Sequence, residues 1–151
     1  MCCGAYDADG AGPLSICGKG AKIASTTFSQ IVKDDILPFF MDRQKTVGLF
    51  DNAPSHVGGS TLGVLLELGI VRSRQPPRSP DLNPIELVWN RMAMRVNRAL
   101  PWGETITREQ VIAEIKKAWE LEATASCFEK DMLHVCEIMH KVIHAEGGNM
   151  F

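Results

Sequence analysis

The sequence predicts an α/β protein in which a layer of strands is covered by helices. Residues 1–17 have the pattern of a β-hairpin, residues 46–50 form an apolar run of strand length, and apolar residues elsewhere recur at helical spacing. The predicted order is hairpin, helix, strand, helix, strand and then three helices. Because strands alternate with helices, this order favours a layered α/β domain over an all-α one.

The length and composition are typical of one domain, residues 1–151. A chain of this size buries roughly two thirds of its unfolded surface, which allows a real core. With 45% hydrophobic residues, 23% charged residues and a net charge of −2, neither disorder nor a bulk basic tail is indicated. Any affinity for nucleic acid must therefore come from a local patch. The apolar runs are too short to cross a bilayer, and five cysteines without a CxxC pair indicate reduced thiols in an intracellular, soluble protein.

The hairpin and the first helix are predicted from local pattern. Residues 1–6 and 13–17 are the expected strands, and residues 7–12 are the turn between them. Ser25 or Thr26 is the expected N-cap of the helix that follows. A domain rarely begins so directly inside a sheet, which suggests that this one is partial.

The middle of the chain alternates between strands and a helix. Pro38 is expected to end or kink the first helix. The run TVGLF, residues 46–50, predicts a strand buried on both faces that ends at Asp51. Residues 56–68 predict a short helix weakened by glycines, and a short strand is expected at residues 70–71.

The second half of the chain is predicted to be helical. Residues 75–80, QPPRSP, form a stiff extended linker. One helix is expected over residues 84–100, Thr107 caps the next, and the last spans about residues 128–144. Trp102 lies in a Pro-Trp-Gly break between helices, where we expect it to pack instead of stacking on a nucleic-acid base.

Asp51 is the first candidate site residue. It is the first polar residue after a predicted buried strand, at the carboxyl end where open α/β sheets place their ligands. Asp before Asn-Ala-Pro is also common turn chemistry. Ligand and turn residue both stay open at this point.

Glu86 has two interpretations as well. Asn83 at the N-cap, Pro84 at the first helical position and Glu86 three residues after Asn83 form a variant of the capping box. At about 100° per residue, however, Glu86 lies at the edge of the helix in one column with Asn90 and Asn97. Glu86 can therefore hold the helix entry or face a cleft.

The segment of residues 72–98 is locally basic. Its arginines form either a solvated surface or a set of contacts to the phosphates of a nucleic-acid backbone. These candidate DNA-binding residues are Arg72, Arg74, Arg78, Arg91, Arg95 and Arg98. Two carboxylates beside such a strip suit Mg²⁺ or Mn²⁺, which bind hard oxygen ligands and can drive phosphodiester chemistry.

The strings LFDNAPSH and PPRSPDLNPIELVWN resemble the catalytic core of the mariner-superfamily (Tc-type) DDE transposases. In that family an apolar strand ends in Asp-Asn-Ala-x-x-His, and a Pro-rich loop carries the last catalytic acid on the next helix. Asp51 and Glu86 are separated by residues 52–85, a gap of 34 that is similar to the family spacing. The resemblance covers essentially all 151 residues.

The resemblance implies a ribonuclease H-like fold, with a mixed sheet, flanking helices and extra C-terminal helices. It implies Mg²⁺ or Mn²⁺ as cofactor, transposon-end DNA as partner, and cleavage and rejoining of that DNA. Asp51 matches the second and Glu86 the third acid of the catalytic triad, both as metal ligands, while Asn52, His56 and Asn90 would support them. A homodimer is possible within the family, and a DNA substrate implies a nuclear protein in a eukaryote and otherwise an intracellular one.

The chain also departs from the family pattern. The first catalytic aspartate of the family lies on a strand upstream of the hairpin and has no counterpart here, since Asp7 and Asp9 fall in the hairpin turn. We therefore expect a partial catalytic domain without its first strand, truncated before the first aspartate, whose enzymatic activity is impaired. The alternatives are a non-catalytic remnant that binds DNA or a partner protein through residues 72–98, and a gene fragment without function.

Overall fold

The structure is a computed structural model that describes residues 1–18, 20–101, 103 and 105–147. Trp102, for which packing was predicted, lies outside the described residues. The strands are β1 (Cys2–Asp7), β2 (Gly10–Ile16), β3 (Val47–Leu49) and β4 (Val71–Ser73). The helices are α1 (Ser25–Ile31), α2 (Leu37–Asp42), α3 (Pro54–Val57), α4 (Gly59–Glu67), α5 (Pro84–Ala99), α6 (Arg108–Glu122) and α7 (Ala125–His144), with a π-helical turn at Val32–Ile36 and a 3₁₀ turn at Pro80–Leu82. This order confirms the predicted α/β sequence of elements.

The chain divides into two compact units. The first comprises Met1–Ala5 and Gly12–Ser79, and the second comprises Tyr6–Ala11 and Pro80–Phe151. Each unit is described by itself below. The expectation of one domain over residues 1–151 stays a prediction.

The predicted hairpin is present, with a tighter turn than expected. Strands β1 and β2 are joined by two residues, and Gly10 supplies the positive φ of 106° at the return. The Asp7 carboxylate accepts a hydrogen bond from the Asp9 backbone N–H at 2.9 Å. This bond is the Asp turn chemistry that the sequence indicates.

Pro38 does not end the first helix. The chain passes from α1 through the π-helical turn, whose last bond joins Leu37 N–H to the Val32 carbonyl, and continues as α2. A proline ring clashes with the carbonyl four residues earlier in a regular α-helix, and a wider turn at that place relieves the clash. Pro38 therefore changes the hydrogen bonding of the helix and leaves its length intact.

The predicted capping role of Ser25 is also wrong. The N-cap of α1 is Ala24, which makes no side-chain cap hydrogen bond. Ser25 instead lies 3.1 Å from Thr61, whose backbone N–H donates to the serine hydroxyl. Thr61 is fully buried on α4. The serine thus ties α1 to α4, a role that depends on a residue far along the chain.

Strand β3 pairs in parallel with β4, with Gly48 opposite Arg72. The prediction that β3 is buried on both faces is wrong, because Val47 and Leu49 are 60% and 43% exposed. Alternate residues of a strand point to opposite faces, and only the face of Gly48 meets the core of the first unit. That core consists of Phe28, Val32, Ile36, Phe40, Phe50, Val64, Leu65 and Ile70.

The second unit is built from helices α5, α6 and α7, as predicted. Thr107 caps α6 in a complete capping box with Gln110, and Thr124 accepts from Cys127 N–H at the start of α7. The rings of Trp89 and Trp119 stack at 5.4 Å between centroids. No helix in the described part of the chain is long and apolar enough to cross a membrane.

Candidate active site

Asp51 lies directly after β3 and Phe50, in the first unit. Its Oδ1 accepts a hydrogen bond from the Ala53 backbone N–H at 2.9 Å, which closes a tight turn. Its side chain is 42% exposed, and within the described ranges Oδ2 makes no hydrogen bond. The turn interpretation of Asp51 is therefore confirmed through Oδ1. The ligand interpretation stays a prediction, for which Oδ2 is the available atom.

His56 lies beside this carboxylate, as the sequence motif indicates. Its Nδ1 is 2.5 Å from Asp51 Oδ1, although the approach is poorly aligned for a hydrogen bond. The imidazole packs on Phe28, with 4.0 Å between ring centroids, and lies 6.2 Å from Phe50. These rings hold His56 in place against the Asp51 carboxylate.

Asn52 and Arg72 form a second set of contacts around Asp51. Arg72 Nη2 donates to the Asp51 carbonyl oxygen at 3.1 Å and to Asn52 Oδ1 at 2.6 Å. Asn52 Nδ2 donates in turn to the carbonyl oxygens of Gln75 at 3.0 Å and Pro76 at 3.4 Å. The sequence predicted phosphate contact for Arg72 and missed this bonding, for which no local pattern gives a signal.

Glu86 lies half-buried in the first turn of α5, in the second unit. The helix starts as predicted, with Asn83 as a buried N-cap in extended conformation and Pro84 at the first helical position. The Asn83 side chain makes no cap hydrogen bond, and the Glu86 backbone N–H donates to the Asn83 carbonyl oxygen at 3.0 Å. The Asn83 half of the predicted capping box is therefore not formed. Asn90, one turn further on, is exposed.

The arginines of the basic segment fall into two groups. Arg91 and Arg95 are held by carboxylates of the second unit: Arg91 pairs with Asp131 and Glu122, and Arg95 Nη2 lies 2.6 Å from Glu122 Oε1. This bonding accounts for both residues within the protein and argues against a phosphate role. Arg74, Arg78 and Arg98 are exposed, and in the part of the chain that the structure describes they make no hydrogen bond or ion pair.

Asp51 has the properties of one ligand to a divalent ion. Carboxylate oxygens suit Mg²⁺, which proteins commonly hold through one or two carboxylates together with substrate phosphates. The Ala53 N–H fixes the orientation of the carboxylate while Oδ2 is left for an ion. Among the described residues, no three His, Cys, Asp or Glu side chains are grouped closely enough to hold a metal.

Burial raises the pKa of the nearby Cys3 thiol to about 11, and the negative charges of Cys17, Cys2 and Asp51 add to the shift. Cys3 lies on β1 and packs against the core of the first unit. The thiol is therefore neutral at physiological pH.

No protein-family model and no curated protein matches the sequence. Solved structures do match. The catalytic domain of Mos1 mariner transposase aligns over 97% of this chain and 73% of that domain, with a TM-score of 0.72 and 19% identity. The same domain with Raltegravir and Mg gives a TM-score of 0.72, 19% identity and coverage of 97% and 74%.

The Mos1 mariner paired-end complex with Mn aligns with a TM-score of 0.77 and 19% identity over 97% of this chain. The chain spans 43% of the length of the transposase in that complex. At this identity the likeness concerns the fold. The chain has the ribonuclease H-like fold of the Mos1 mariner transposase catalytic domain.

Proposed function

We propose that this chain is a transposase-derived endonuclease domain of the DDE type, with DNA as its substrate. Asp51 is the second acid of the triad and Glu86 the third. The observation that carries the proposal is the Asp51 carboxylate, which follows β3 in a transposase-like fold with one oxygen fixed and the other open. With DNA as its substrate, the chain would act in the nucleus of a eukaryotic cell and otherwise inside the cell that carries it.

Asp51 and Glu86 would hold Mg²⁺ or Mn²⁺, and solved Mos1 structures contain Mg and Mn. Such an ion, when bound, activates a water or a 3′ hydroxyl and stabilises the leaving oxygen of a phosphodiester. The residues of this chain prepare the ligand: the Ala53 N–H and the His56 ring keep the Asp51 carboxylate in one orientation. Fixed orientation of ligands strengthens metal binding and depends on such neighbouring groups.

The activity of the isolated chain is expected to be low. The motif matches supply two of the three acids that the family uses, and a site with fewer carboxylates binds a divalent ion more weakly. We therefore expect weak metal binding and little or no strand transfer from the 151-residue chain.

Two measurements test the proposal. Mn²⁺ binding, followed by electron paramagnetic resonance of the free ion, should be weak in the wild-type chain, lost in Asp51→Ala and Glu86→Ala, and retained in Glu67→Ala. Glu67 is an exposed carboxylate at the end of α4 and serves as the matched control. Mn²⁺ binding that is unchanged in Asp51→Ala would contradict the role of Asp51.

Nicking of a supercoiled duplex in Mg²⁺ or Mn²⁺ is the second measurement. We expect at most a trace of nicking, removed by either Asp51→Ala or Glu86→Ala. Robust turnover that disappears in both variants would confirm the endonuclease and refute the expected impairment.

A non-catalytic DNA-binding remnant is the second candidate function. The exposed arginines Arg74, Arg78 and Arg98 favour it, since none of them is bonded to another described residue. Contacts from such side chains to phosphates need no metal ion. DNA binding that survives Asp51→Ala and Glu86→Ala without any nicking would support this candidate over the first.

A further inference from the structure

Arg72 is turned toward the backbone that carries Asp51. We propose that Arg72 is a positioning residue for the metal-binding carboxylate: with Asn52 it forms a clamp that fixes the Asp51 turn and the start of the Pro-rich linker. This inference rests on the proposed function, since it concerns the same carboxylate.

The pairing of the strands explains how Arg72 reaches this place. Strand β4 runs parallel to β3 with Arg72 opposite Gly48, so the carboxyl ends of both strands lie at the same edge. From there the guanidinium reaches the Asp51 carbonyl oxygen at 3.1 Å and Asn52 Oδ1 at 2.6 Å. One nitrogen, Nη2, thus uses its two protons on two consecutive residues of the turn.

Asn52 joins Arg72 to the Pro-rich linker through hydrogen bonds of its side-chain amide. Its amide nitrogen donates to the carbonyl oxygens of Gln75 and Pro76, while its amide oxygen accepts from Arg72. The start of the Pro-rich linker is therefore fixed to the Asp51 turn by hydrogen bonds to its carbonyl oxygens.

The guanidinium is poorly placed to contact a phosphate. Arg72 is half-buried, its Nε is buried and lacks a hydrogen bond to any described residue, and its Nη2 is already engaged on two acceptors. Exposed arginines of the same segment, such as Arg74, carry no such contacts. The contacts of Arg72 are those of a residue that holds the protein backbone.

An electrostatic role and a positioning role of Arg72 predict opposite changes in Mn²⁺ affinity when the side chain is replaced. A positive charge near Asp51 repels a divalent cation, so a purely electrostatic role predicts tighter Mn²⁺ binding in Arg72→Gln. A positioning role predicts weaker binding, because the turn that orients the carboxylate loses two hydrogen bonds. Loss of groups that orient metal ligands typically weakens metal affinity by roughly 10- to 100-fold.

The experiment compares Mn²⁺ affinity of the full chain in the wild type, Arg72→Gln, Arg72→Lys, Asn52→Ala and the double variant Arg72→Gln/Asn52→Ala. Arg72→Lys keeps the charge but loses the planar fork of donors, so it separates geometry from charge. Lys33→Gln removes an exposed cation of the same unit and is the control for charge. The backbone amide signal of Ala53 and the side-chain amide signals of Asn52, followed by NMR without metal, report the clamp directly.

We expect Arg72→Gln and Asn52→Ala each to weaken Mn²⁺ binding about tenfold. The double variant should lose no more Mn²⁺ affinity than either single variant, since Arg72 and Asn52 act through one clamp. Arg72→Lys should fall between Arg72→Gln and the wild type, and Lys33→Gln should bind as the wild type does. The Ala53 amide signal should shift in the Arg72 and Asn52 variants. The side-chain amide signals of Asn52, which Asn52→Ala removes, should shift in Arg72→Gln and Arg72→Lys. Both sets of signals should stay unchanged in Lys33→Gln.

Tighter Mn²⁺ binding in Arg72→Gln, together with wild-type Mn²⁺ affinity in Arg72→Lys, would show that Arg72 acts only through its charge. That result would overturn the inference. If the Arg72 variants show a lower salt dependence of DNA binding and an unchanged Mn²⁺ affinity, Arg72 contacts a phosphate and the inference is overturned. If Asp51→Ala does not weaken Mn²⁺ binding, the proposed function fails and this inference fails with it. Should Arg72→Gln not fold, Arg72→Lys and Asn52→Ala decide the question, because neither removes the positive charge.

Discussion

Arg91 holds Asp131 with both of its terminal nitrogens, Nη1 at 2.7 Å from Oδ1 and Nη2 at 2.8 Å from Oδ2. The same guanidinium donates to the Glu122 carboxylate and to the Glu122 backbone carbonyl oxygen, at the end of α6. Tyr6 donates its hydroxyl to Asp131 Oδ2 at 3.2 Å. One arginine on α5 thus joins α6 and α7, and its hydrogen bond to Asp131 raises the pKa of Arg91.

Arg91→Gln should strongly destabilise the second unit. Asp131 is only 4% exposed, and removal of its cation leaves a buried carboxylate without charge compensation. Breaking a buried pair in this way costs about 3–5 kcal/mol.

Urea denaturation checks this value, with Arg98→Gln on the same helix as control. Arg98 is exposed, so its replacement should change the free energy of unfolding by about 0.5 kcal/mol at most. Equal stability of the two variants would contradict the structural role of Arg91.

Tyr6 should make stability fall at high pH. Burial raises the pKa of its hydroxyl, and the Asp131 carboxylate raises it further by its charge and its hydrogen bond. The unfolded chain releases the phenol proton from about pH 10, whereas the folded chain keeps it. The free energy of unfolding should therefore lose up to about 1.4 kcal/mol per pH unit above that value, and the contribution is fully present below it.

Tyr6→Phe has no phenol proton to release and should not show this loss. The difference in free energy of unfolding between the wild type and the variant should therefore be constant below about pH 9.5 and shrink above about pH 10. Because Tyr6 is the only tyrosine, phenolate absorbance of the folded chain reports its ionisation directly. Parallel stability curves through the alkaline range, or phenolate formation at the pH of a free tyrosine, would contradict the prediction.

Gly48→Ala should destabilise the first unit. A Cβ at this position would lie 2.5 Å from Phe50 Cε2 and 3.0 Å from Phe40 Cζ, closer than side chains tolerate. Overpacking of this kind costs about 1–3 kcal/mol. The control is Gly63→Ala in α4, where nothing lies within 4 Å and alanine should stabilise the helix by roughly 0.5–1 kcal/mol. Thermal denaturation of the two variants should therefore shift in opposite directions, and shifts of the same sign would refute the packing argument.

Neutralising Arg74, Arg78 and Arg98, which are exposed and make no hydrogen bond to a described residue, should weaken DNA binding and lower its salt dependence. Each contact to a phosphate contributes about 0.9 to the slope of log affinity against log salt. A variant with Arg74→Gln, Arg78→Gln and Arg98→Gln should lose a slope of about 2.7 by this rule. Fluorescence anisotropy of a labelled duplex over a salt series gives the slope. Arg95→Gln, whose guanidinium pairs with Glu122, should leave it unchanged, and an equal loss in that variant would refute the division of the arginines.

The order of the elements and part of the chemistry of their ends could be predicted from the sequence, because both depend on near neighbours. The hairpin turn with Asp7, the Thr107 cap of α6 and the strand that ends before Asp51 were predicted in this way, since each depends on residues only a few positions apart. The same holds for the entry to α5 at Asn83 and Pro84. The residues around Asp51 and Glu86 also predict the transposase fold, because each of the two motifs is a short continuous string.

Only the tertiary structure decided which groups those side chains meet. Arg72 bonds to Asn52 across 20 positions and Arg91 to Asp131 across 40, and no local pattern encodes such pairs. The exposure of Val47 and Leu49 was equally out of reach, since an apolar run of strand length is the same whether one face or both are covered. The sequence by itself determined where Asp51 and Glu86 lie along their elements. The fold decided that Arg72, Arg91 and Arg95 form hydrogen bonds within the protein, because a guanidinium finds its carboxylate or carbonyl partner only where packing brings distant segments together.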